Sequence, residues 1–189
     1  MTYKTYYESP VGNLFIASDG ENIIGLCIEG QKYYLDKIEK EAILKNDMPV
    51  FEKAKNWLDR YFKKEKPEIS ELSLAPEGNA FRQCVWSLLC KIPYGETTTY
   101  GELAKEVAKK LNKPSMSAQA IGNAVGHNPI SIIIPCHRVI GKNGSLTGYA
   151  GGIENKIKLL ELEGMIFYWI GKIKFFLVNK KSTLHRKIA

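Results

Sequence analysis

A short apolar run that ends at a proline, with a cysteine and a histidine directly behind it, most constrains how this chain can fold. Ser131 precedes three isoleucines, and Pro135, Cys136 and His137 follow them. A continuous run of β-branched residues of this length predicts a buried strand. Such a strand would hold Cys136 at its end, inside the protein, with the thiol in a defined position.

A cysteine acts as a nucleophile only when a neighbour stabilises its thiolate or accepts its proton. The ordinary thiol has a pKa of about 8.5 and is mostly protonated at neutral pH. His137 and Arg138 follow Cys136 directly and are the candidate neighbours. The alternative is an ordinary core cysteine, because free cysteines are among the most buried residues.

Composition is that of a globular protein with one generous domain or two small ones. The chain has 189 residues, of which 44% are hydrophobic and 25% charged. No apolar run approaches the roughly 18 residues of a membrane span, and the first residues do not resemble a secretory signal. We therefore expect a cytoplasmic protein with no membrane partner.

The net charge of +7 favours a polyanionic partner. Most of the excess lies beyond Tyr168, where no acidic residue occurs and the basic residues are Lys172, Lys174, Lys180, Lys181, Arg186 and Lys187. This run is either a solvated chain end or a supplementary phosphate contact. Its aromatic residues and interspersed glycine predict two short strands packed on the rest of the protein.

Cysteines and histidines give no indication of a metal site. Cys27, Cys84, Cys90 and Cys136 lack the close pairing of zinc ligands, and the three histidines have no ligand spacing. We expect reduced thiols, with Cys84 and Cys90 in the core, and neither metal ion nor cofactor. The glycines of 148–152 also lack the strand and helix context of a dinucleotide site.

The first part of the chain predicts a small antiparallel sheet covered by helices. Between Tyr3 and Ile28, aromatic and β-branched runs alternate with turn residues, which predicts three strands. Helical spacing follows over 33–44 and 51–62. Periodicity is lost over 63–78, so we place a domain boundary there, with residues 1–75 as an N-terminal α/β domain.

Residues 76–165 predict a second, mostly helical domain, followed by a basic aromatic extension over 166–189. One helix covers 81–92, a second covers 100–111, and Ser115 or Ser117 caps a third that is rich in small residues. The last two helices form a helix-turn-helix pattern, or an ordinary helical hairpin. Small residues allow close packing against protein or a close approach to a nucleic-acid groove.

Several motifs flank Cys136 in a fixed order. They are Phe81-Arg82-Gln83-Cys84-Val85-Trp86, Ile92-Pro93-Tyr94-Gly95-Glu96, Asn128-Pro129-Ile130, Pro135-Cys136-His137-Arg138-Val139, Gly148-Tyr149-Ala150-Gly151-Gly152 and Leu159-Leu160-Glu161-Leu162-Glu163-Gly164. Together they resemble the O6-alkylguanine-DNA alkyltransferase family, also called methylated-DNA-protein-cysteine methyltransferases. The resemblance is close over 81–164 and weaker near Ser9-Pro10-Val11-Gly12.

The resemblance implies an α+β fold, with a ribonuclease H-like N-terminal sheet and helices followed by a winged helix-turn-helix-like domain. It also implies irreversible transfer of an alkyl group from O6 of guanine to Cys136, with one turnover per chain. The implied partner is double-stranded DNA carrying O6-alkylguanine, with O4-alkylthymine as a second candidate lesion. A monomer without cofactor is expected.

The resemblance also implies roles for individual residues. The catalytic set is Cys136, His137, Glu163, Tyr100 and Asn128. In the family a water bridges the cysteine and histidine, the glutamate completes the relay, the tyrosine donates to the base, and the asparagine braces the turn before the cysteine. The implied substrate-binding set is Val139, Tyr149, Ala150, Gln119, Ala118, Gly122 and Arg138.

One departure from the family pattern concerns Gln119. The family usually has an arginine there, which fills the gap that a flipped base leaves in the duplex. Because extrusion of a base costs a few kcal/mol, we expect less efficient repair rather than none. A non-catalytic lesion-binding protein and a cysteine hydrolase acting on a small substrate are the alternatives.

Overall fold

The structure, a computed structural model, describes residues 1–33, 35–170 and 173–177. Its strands are β1 Tyr3–Ser9, β2 Gly12–Ser18, β3 Ile23–Ile28, β4 Ile43–Leu44, β5 Thr98–Thr99, β6 Val139–Ile140, β7 Ile166–Ile170 and β8 Ile173–Leu177. Its α-helices are α1 Asp36–Glu41, α2 Pro49–Phe62, α3 Ala80–Leu89, α4 Tyr100–Lys110, α5 Ala118–Gly126 and α6 Ile153–Leu162, and 3-10 helices cover Ile69–Glu71 and Cys136–Arg138. The predicted α+β class is confirmed. Among the helices described, none has the length and apolar character that crossing a bilayer requires.

The N-terminal sheet has the strand order β3-β2-β1-β4. Strands β1, β2 and β3 pair in antiparallel fashion, which confirms the three strands predicted over 3–28. A tight turn joins β1 to β2, and Gly12 takes a positive φ of 108° there, a conformation that side-chain-bearing residues rarely adopt. Strand β2 buries its last five residues, so both faces of the sheet centre are covered.

The helix predicted over 33–44 was largely wrong. Helix α1 covers only Asp36–Glu41 and buries no residue, while Ile43–Leu44 forms β4, parallel to β1. The outer edge of β1 offers backbone groups that need partners, and the Ile43 amide donates to the Thr2 carbonyl at 3.0 Å. This pairing satisfies backbone groups of both strands. A short helix that buries no residue, by contrast, gains little stability from the helical spacing of its apolar residues.

Helix α2 packs on the sheet and confirms the helix predicted over 51–62. It begins at Pro49, whose missing amide costs nothing in a first helical turn. Its buried face consists of Val50, Phe51, Ala54, Trp57, Leu58 and Tyr61. The Trp57 indole donates to the Glu68 carbonyl at 2.9 Å, which ties the connector over 63–78 to this helix.

Three helices form the next part of the fold, as predicted, and each of them has a side-chain cap. Asn79, Thr99 and Ser117 accept backbone amides at the starts of α3, α4 and α5. Ser117 is therefore the cap of the third helix, rather than Ser115. The Trp86 indole of α3 donates to the Ala124 carbonyl of α5 at 2.9 Å and fixes the two helices together.

The strand predicted over 131–134 was wrong, because this segment is a buried turn. Ile130 forms one bridge with Leu26 of β3, and the chain then folds back, so that the Ile134 amide donates to the Ile130 carbonyl at 3.0 Å. Ile132 has a positive φ of 71°, which is strained for a β-branched residue. Apolar character alone did not distinguish a buried strand from a buried turn.

Helix α6 leads into a C-terminal hairpin. Strands β7 and β8 pair in antiparallel fashion, with Ile166 opposite Leu177, which confirms the two short strands predicted for the extension. The predicted packing of its aromatic side chains, and the basic residues from 178 to 189, lie outside what the structure describes.

Candidate active site around Cys136

Asn128 organises the turn that holds Cys136. Its side-chain amide donates to the carbonyls of Ile134 at 2.8 Å and Ile130 at 3.3 Å, and its oxygen accepts the Ile130 amide at 3.1 Å. Beyond Pro135 the chain enters the 3-10 helix, where Cys136 is only 4% exposed. The thiol is therefore fixed inside the protein, as the sequence predicted, although by a turn instead of a strand.

Glu163, at the end of α6, is the centre of a buried hydrogen-bond network behind Cys136. Oε1 accepts from His137 Nε2 at 2.8 Å, Arg138 Nη2 at 2.9 Å and the Tyr61 hydroxyl at 2.7 Å. Oε2 accepts from Arg138 Nε at 2.9 Å and the Gly95 amide at 3.1 Å. An ionised carboxylate only accepts hydrogen bonds, so all of these groups are donors.

The network defines the protonation state of His137. Burial opposes ionisation of Glu163, but His137 and Arg138 outweigh it and lower the pKa of Glu163 to about 2. Burial also lowers the pKa of His137 below its ordinary value, so the ring is neutral at neutral pH. Because Nε2 donates to Glu163, the free lone pair is on Nδ1, which is buried without a partner among the described residues.

Cys136 is a thiol at rest, not a thiolate. Burial raises its pKa, and a hydrogen bond with Asn128 and the charge of Lys156 only partly oppose this effect. A reaction at sulfur therefore needs a base to remove the proton during attack. His137 can be this base, because its ring is neutral and Nδ1 is free to accept a proton. Arg138 cannot, because its guanidinium donates to Glu163 and to the Ile92 carbonyl and has no lone pair to accept a proton.

Lys156 is a site residue that the sequence prediction missed. It is fully buried on α6, and its Nζ donates to the carbonyls of Val139 at 2.6 Å and Thr147 at 3.3 Å. Burial lowers the pKa of Lys156 to about 8, and the charge of Cys136 counteracts this. Its signal in the sequence is a lysine in helical phase with Leu159, Leu160 and Glu163, on the apolar face.

Tyr61 was missed as well, because it lies on α2 in the N-terminal half. Composition gave no reason to separate it from the other apolar residues of that helix face. Only the folded structure brings its hydroxyl, 102 residues away in sequence, to Glu163.

A cavity of about 460 Å³ lies between helix α5 and the loop before α6. It is lined by Lys32, Tyr33, Tyr100, Ala118, Gln119, Gly122, Gly126, Thr147, Gly148, Tyr149 and Ala150. Six residues predicted for the site are brought together here, namely Tyr100, Ala118, Gln119, Gly122, Tyr149 and Ala150. Lys32 and Tyr33 come from the N-terminal half and were not predicted.

Tyr100 and Tyr149 place two hydroxyl groups at this cavity. The Tyr100 hydroxyl lies within hydrogen-bond distance of the Thr147 carbonyl at 3.1 Å and the Gly148 carbonyl at 3.2 Å. Burial and the charge of Cys136 raise the pKa of Tyr100 to about 12, so it stays protonated and can donate. The Tyr149 hydroxyl is buried without a partner among the described residues.

Arg138 does not lie where the sequence prediction placed it. It was predicted to bind substrate, but its guanidinium pairs with Glu163 and donates to the Ile92 carbonyl at 2.6 Å. The residue lies behind Cys136 and is absent from the cavity lining.

Val139, another residue of the predicted substrate-binding set, is buried, and its backbone carbonyl already accepts a hydrogen bond from Lys156. A carbonyl oxygen has two lone pairs, so one is left for a ligand.

Comparison with known proteins identifies the family. Two models of 6-O-methylguanine DNA methyltransferase match the chain, the ribonuclease-like domain over residues 2–76 and the DNA binding domain over residues 80–165. The chain belongs to the 6-O-methylguanine DNA methyltransferase family. Both matches end before the C-terminal hairpin.

Relatives of known name support membership of this family. The methylated-DNA--protein-cysteine methyltransferase of Haemophilus influenzae is 48% identical over 162 residues, 85% of this chain and 86% of the relative. The protein of that name from Methanosarcina acetivorans is 44% identical over 86% of this chain and 98% of its own.

Solved structures of the 6-O-methylguanine DNA methyltransferase family show the same fold. The crystal structure of Mycobacterium tuberculosis O6-methylguanine methyltransferase has a TM-score of 0.73 and 42% identity, covering 86% of this chain and 93% of that one. The Mycobacterium tuberculosis protein in complex with DNA has the same TM-score at 40% identity, over 85% of this chain and 92% of that one.

Proposed function

We propose that Cys136 is the alkyl acceptor of this methylated-DNA--protein-cysteine methyltransferase. The family repairs DNA by transferring an alkyl group to a protein cysteine. The observation that supports Cys136 in this role is the closed network behind it, in which Glu163 holds a neutral His137 with Nδ1 free. Cys27, Cys84 and Cys90, the other free cysteines, have no histidine within hydrogen-bond distance among the described contacts.

The proposed reaction is a displacement at the alkyl carbon. His137 Nδ1 accepts the thiol proton, directly or through a water, while the sulfur forms a bond to the alkyl carbon. The bond between that carbon and O6 breaks, its electron pair goes to the guanine, and the Tyr100 hydroxyl stabilises the developing charge by donating a hydrogen bond. The thioether is stable, so each chain reacts once.

The cavity is proposed to receive the alkylated base after it leaves the stack. Tyr149 and Ala150 would form one wall and Tyr100 the other, with the free lone pair of the Val139 carbonyl accepting from the guanine amino group. Gln119, Ala118 and Gly122 of α5 would face the DNA, where Gln119 fills the gap in the duplex without a charge. Base extrusion costs a few kcal/mol, so this weaker filler lowers efficiency.

DNA is the partner of this protein. The lesion is O6-alkylguanine in double-stranded DNA, with O4-alkylthymine as a second candidate, and the protein acts as a monomer. We assign residues 1–75 and 76–165 to two domains and 166–189 to a separate extension. The recognition helix α5 presents small residues to the groove, which permits close backbone approach.

Intact mass measured after mixing with duplex DNA that carries O6-methylguanine tests the proposal. Each chain is expected to gain the mass of one methylene group, up to one equivalent, and Cys136→Ala is expected to abolish the gain. Cys90→Ser is the matched control, since Cys90 is a partly exposed free thiol that lines a groove with Arg138 but makes no hydrogen bond to His137 or Glu163 among the described contacts; this variant is expected to react normally.

Two other outcomes would identify the alternatives. Tight binding of the lesion without any mass change, in the unsubstituted protein under reducing conditions, would indicate a non-catalytic lesion binder. Repeated turnover of an ester or amide that depends on Cys136 would indicate a hydrolase. Either result would overturn the proposed reaction.

A further inference from the structure

Tyr61 provides a hydrogen bond to the catalytic network from the N-terminal half of the protein. Its hydroxyl donates to Glu163 Oε1 at 2.7 Å and its oxygen lies 3.5 Å from His137 Nε2. Tyr61 lies within the match to the ribonuclease-like domain, whereas His137 and Glu163 lie within the match to the DNA binding domain. The contact therefore joins the two halves at the reacting centre.

The packing of its ring fixes the direction of the Tyr61 hydroxyl. The ring stacks on Trp57 with centroids 5.4 Å apart, and it meets Phe62 and Tyr94 edge-on at 5.3 Å and 5.9 Å. Tyr61 is only 1% exposed. With three aromatic neighbours around it, the ring cannot turn the hydroxyl towards solvent.

Tyr61 can act only as a donor to Glu163. The carboxylate is ionised and accepts hydrogen bonds, and burial keeps the pKa of Tyr61 well above its ordinary value of 10. On the same oxygen, Oε1, the Tyr61 proton competes with the proton of His137 Nε2. A further donor on a carboxylate lowers its affinity for the others, because they share one negative charge.

We propose that Tyr61 is a positioning residue that weakens the pull of Glu163 on His137 and so keeps the imidazole in its neutral, proton-accepting form. The inference rests on the proposed function only for its effect on alkyl transfer. The titratable and charged groups around His137 are Glu163, Arg138, Lys156, Tyr61 and Cys136. Of these, Tyr61 alone belongs to the N-terminal half.

Tyr61→Phe removes the hydroxyl and keeps the ring. Without this donor, Glu163 attracts the proton on Nε2 more strongly, so the pKa of His137 rises. Alkyl transfer is then expected to fall at pH values below the pKa that His137 has in the unsubstituted protein, by up to about fivefold, the equivalent of one net hydrogen bond of about 1 kcal/mol, and to stay close to the unsubstituted rate at pH 8.5. A purely structural loss would lower the rate by the same factor at every pH.

Tyr7→Phe is the matched control. The Tyr7 hydroxyl donates to Asp59 Oδ1 at 2.8 Å, also on the N-terminal half, but this hydrogen bond is exposed and involves neither Glu163 nor His137. This variant loses a tyrosine-carboxylate hydrogen bond of the same kind. Its pH profile for alkyl transfer is expected to match that of the unsubstituted protein.

Titration of His137 by NMR is a test that does not depend on activity. The chain has three histidines, so the imidazole signals can be assigned by substitution. Tyr61→Phe is expected to raise the pKa of His137, whereas Tyr7→Phe is expected to leave the pKa of His137 unchanged. An unchanged His137 titration, together with a uniform loss of rate, would overturn the inference. If the unsubstituted protein transfers no alkyl group, the proposed function fails, while this titration still decides the role of Tyr61.

Discussion

The two sides of Cys136 are built differently. Behind it, Glu163, His137 and Arg138 are buried, and the Glu163 carboxylate accepts five hydrogen bonds from four residues. In front of it, next to Tyr100 and Tyr149, the cavity has five half-buried lining residues and six exposed ones, which are Lys32, Tyr33, Ala118, Gln119, Thr147 and Gly148. The buried side can keep the protons of His137 and Arg138 in place without DNA. On the open side, the Tyr100 hydroxyl would have to give up its hydrogen bond to a backbone carbonyl in order to donate to a bound base.

This difference shows which part of the site is already formed before the substrate binds. A buried network of satisfied charges is costly to disturb, because any change leaves an unpaired group in a low dielectric. An open pocket costs little to alter, and its contribution appears only with the ligand bound. Substitutions behind Cys136 should therefore change the protein itself, and substitutions in front should change only its reaction with DNA.

Glu163→Gln is expected to have the largest effect. The amide leaves Arg138 without a charged partner and presents an NH₂ group to other donors, so we expect a loss of about 3–5 kcal/mol in the free energy of unfolding and a severe loss of alkyl transfer. Glu161→Gln is the control, since Glu161 lies two residues earlier and is exposed. Urea denaturation and intact mass measure both effects. Equal stability of the two variants would contradict the comparison.

Acid stability is expected to depend on the same carboxylate. The pKa of Glu163 is lowered from 4.5 to about 2, so the stability that it contributes is fully present above pH 4.5 and is lost as the pH falls towards 2. A shift of this size corresponds to roughly 3 kcal/mol. Urea denaturation at pH 7 and pH 3 should show about two thirds of this loss in the unsubstituted protein, because pH 3 is still above the folded-state pKa of about 2, and a smaller loss in Glu163→Gln. Parallel losses in both proteins would show that other carboxylates dominate.

Lys156→Met is expected to have an intermediate effect, because it removes the hydrogen bonds to the Val139 and Thr147 carbonyls and changes the ionisation of the thiol. The substitution removes the cation that partly opposes the burial of the Cys136 charge, so the pKa of the thiol rises further. Iodoacetamide labelling of Cys136 against pH should shift to higher pH, with roughly a tenfold slower reaction for each 1.4 kcal/mol lost. Lys158→Met, an exposed position on α6, is the control. A labelling profile that is the same in both variants would exclude a role for Lys156 at sulfur.

Sequence and structure agree best where the information is local or carried by motifs. The three N-terminal strands, the helix over 51–62 and the cap at Ser117 follow from nearby residues, and the structure places His137 and Glu163 in contact, as the resemblance implied. The turn at 131–134 was mistaken for a strand because the side chain of Asn128, which folds it, is not part of the apolar pattern.

Three of the missed residues share a physical cause. Tyr61, Lys32 and Tyr33 belong to the N-terminal half, and only tertiary packing brings them to Glu163 or to the cavity. Arg138 was assigned to the substrate-binding set through the resemblance, whereas in the structure it pairs with Glu163. Periodicity describes which face of an element is buried, but not which buried polar groups will meet.

Gln119→Arg, in front of Cys136, is expected to have the smallest effect and to leave stability unchanged. An arginine there adds a charged filler for the space left by the extruded base, so alkyl transfer from duplex DNA should become severalfold faster. Transfer from a free alkylated guanine base, which needs no extrusion, should not change. Gln83→Arg adds the same charge on the exposed face of α3 and controls for general attraction to DNA. If both variants speed up the duplex reaction equally, net charge is the cause; if neither does, Gln119 already fills the gap as well as arginine.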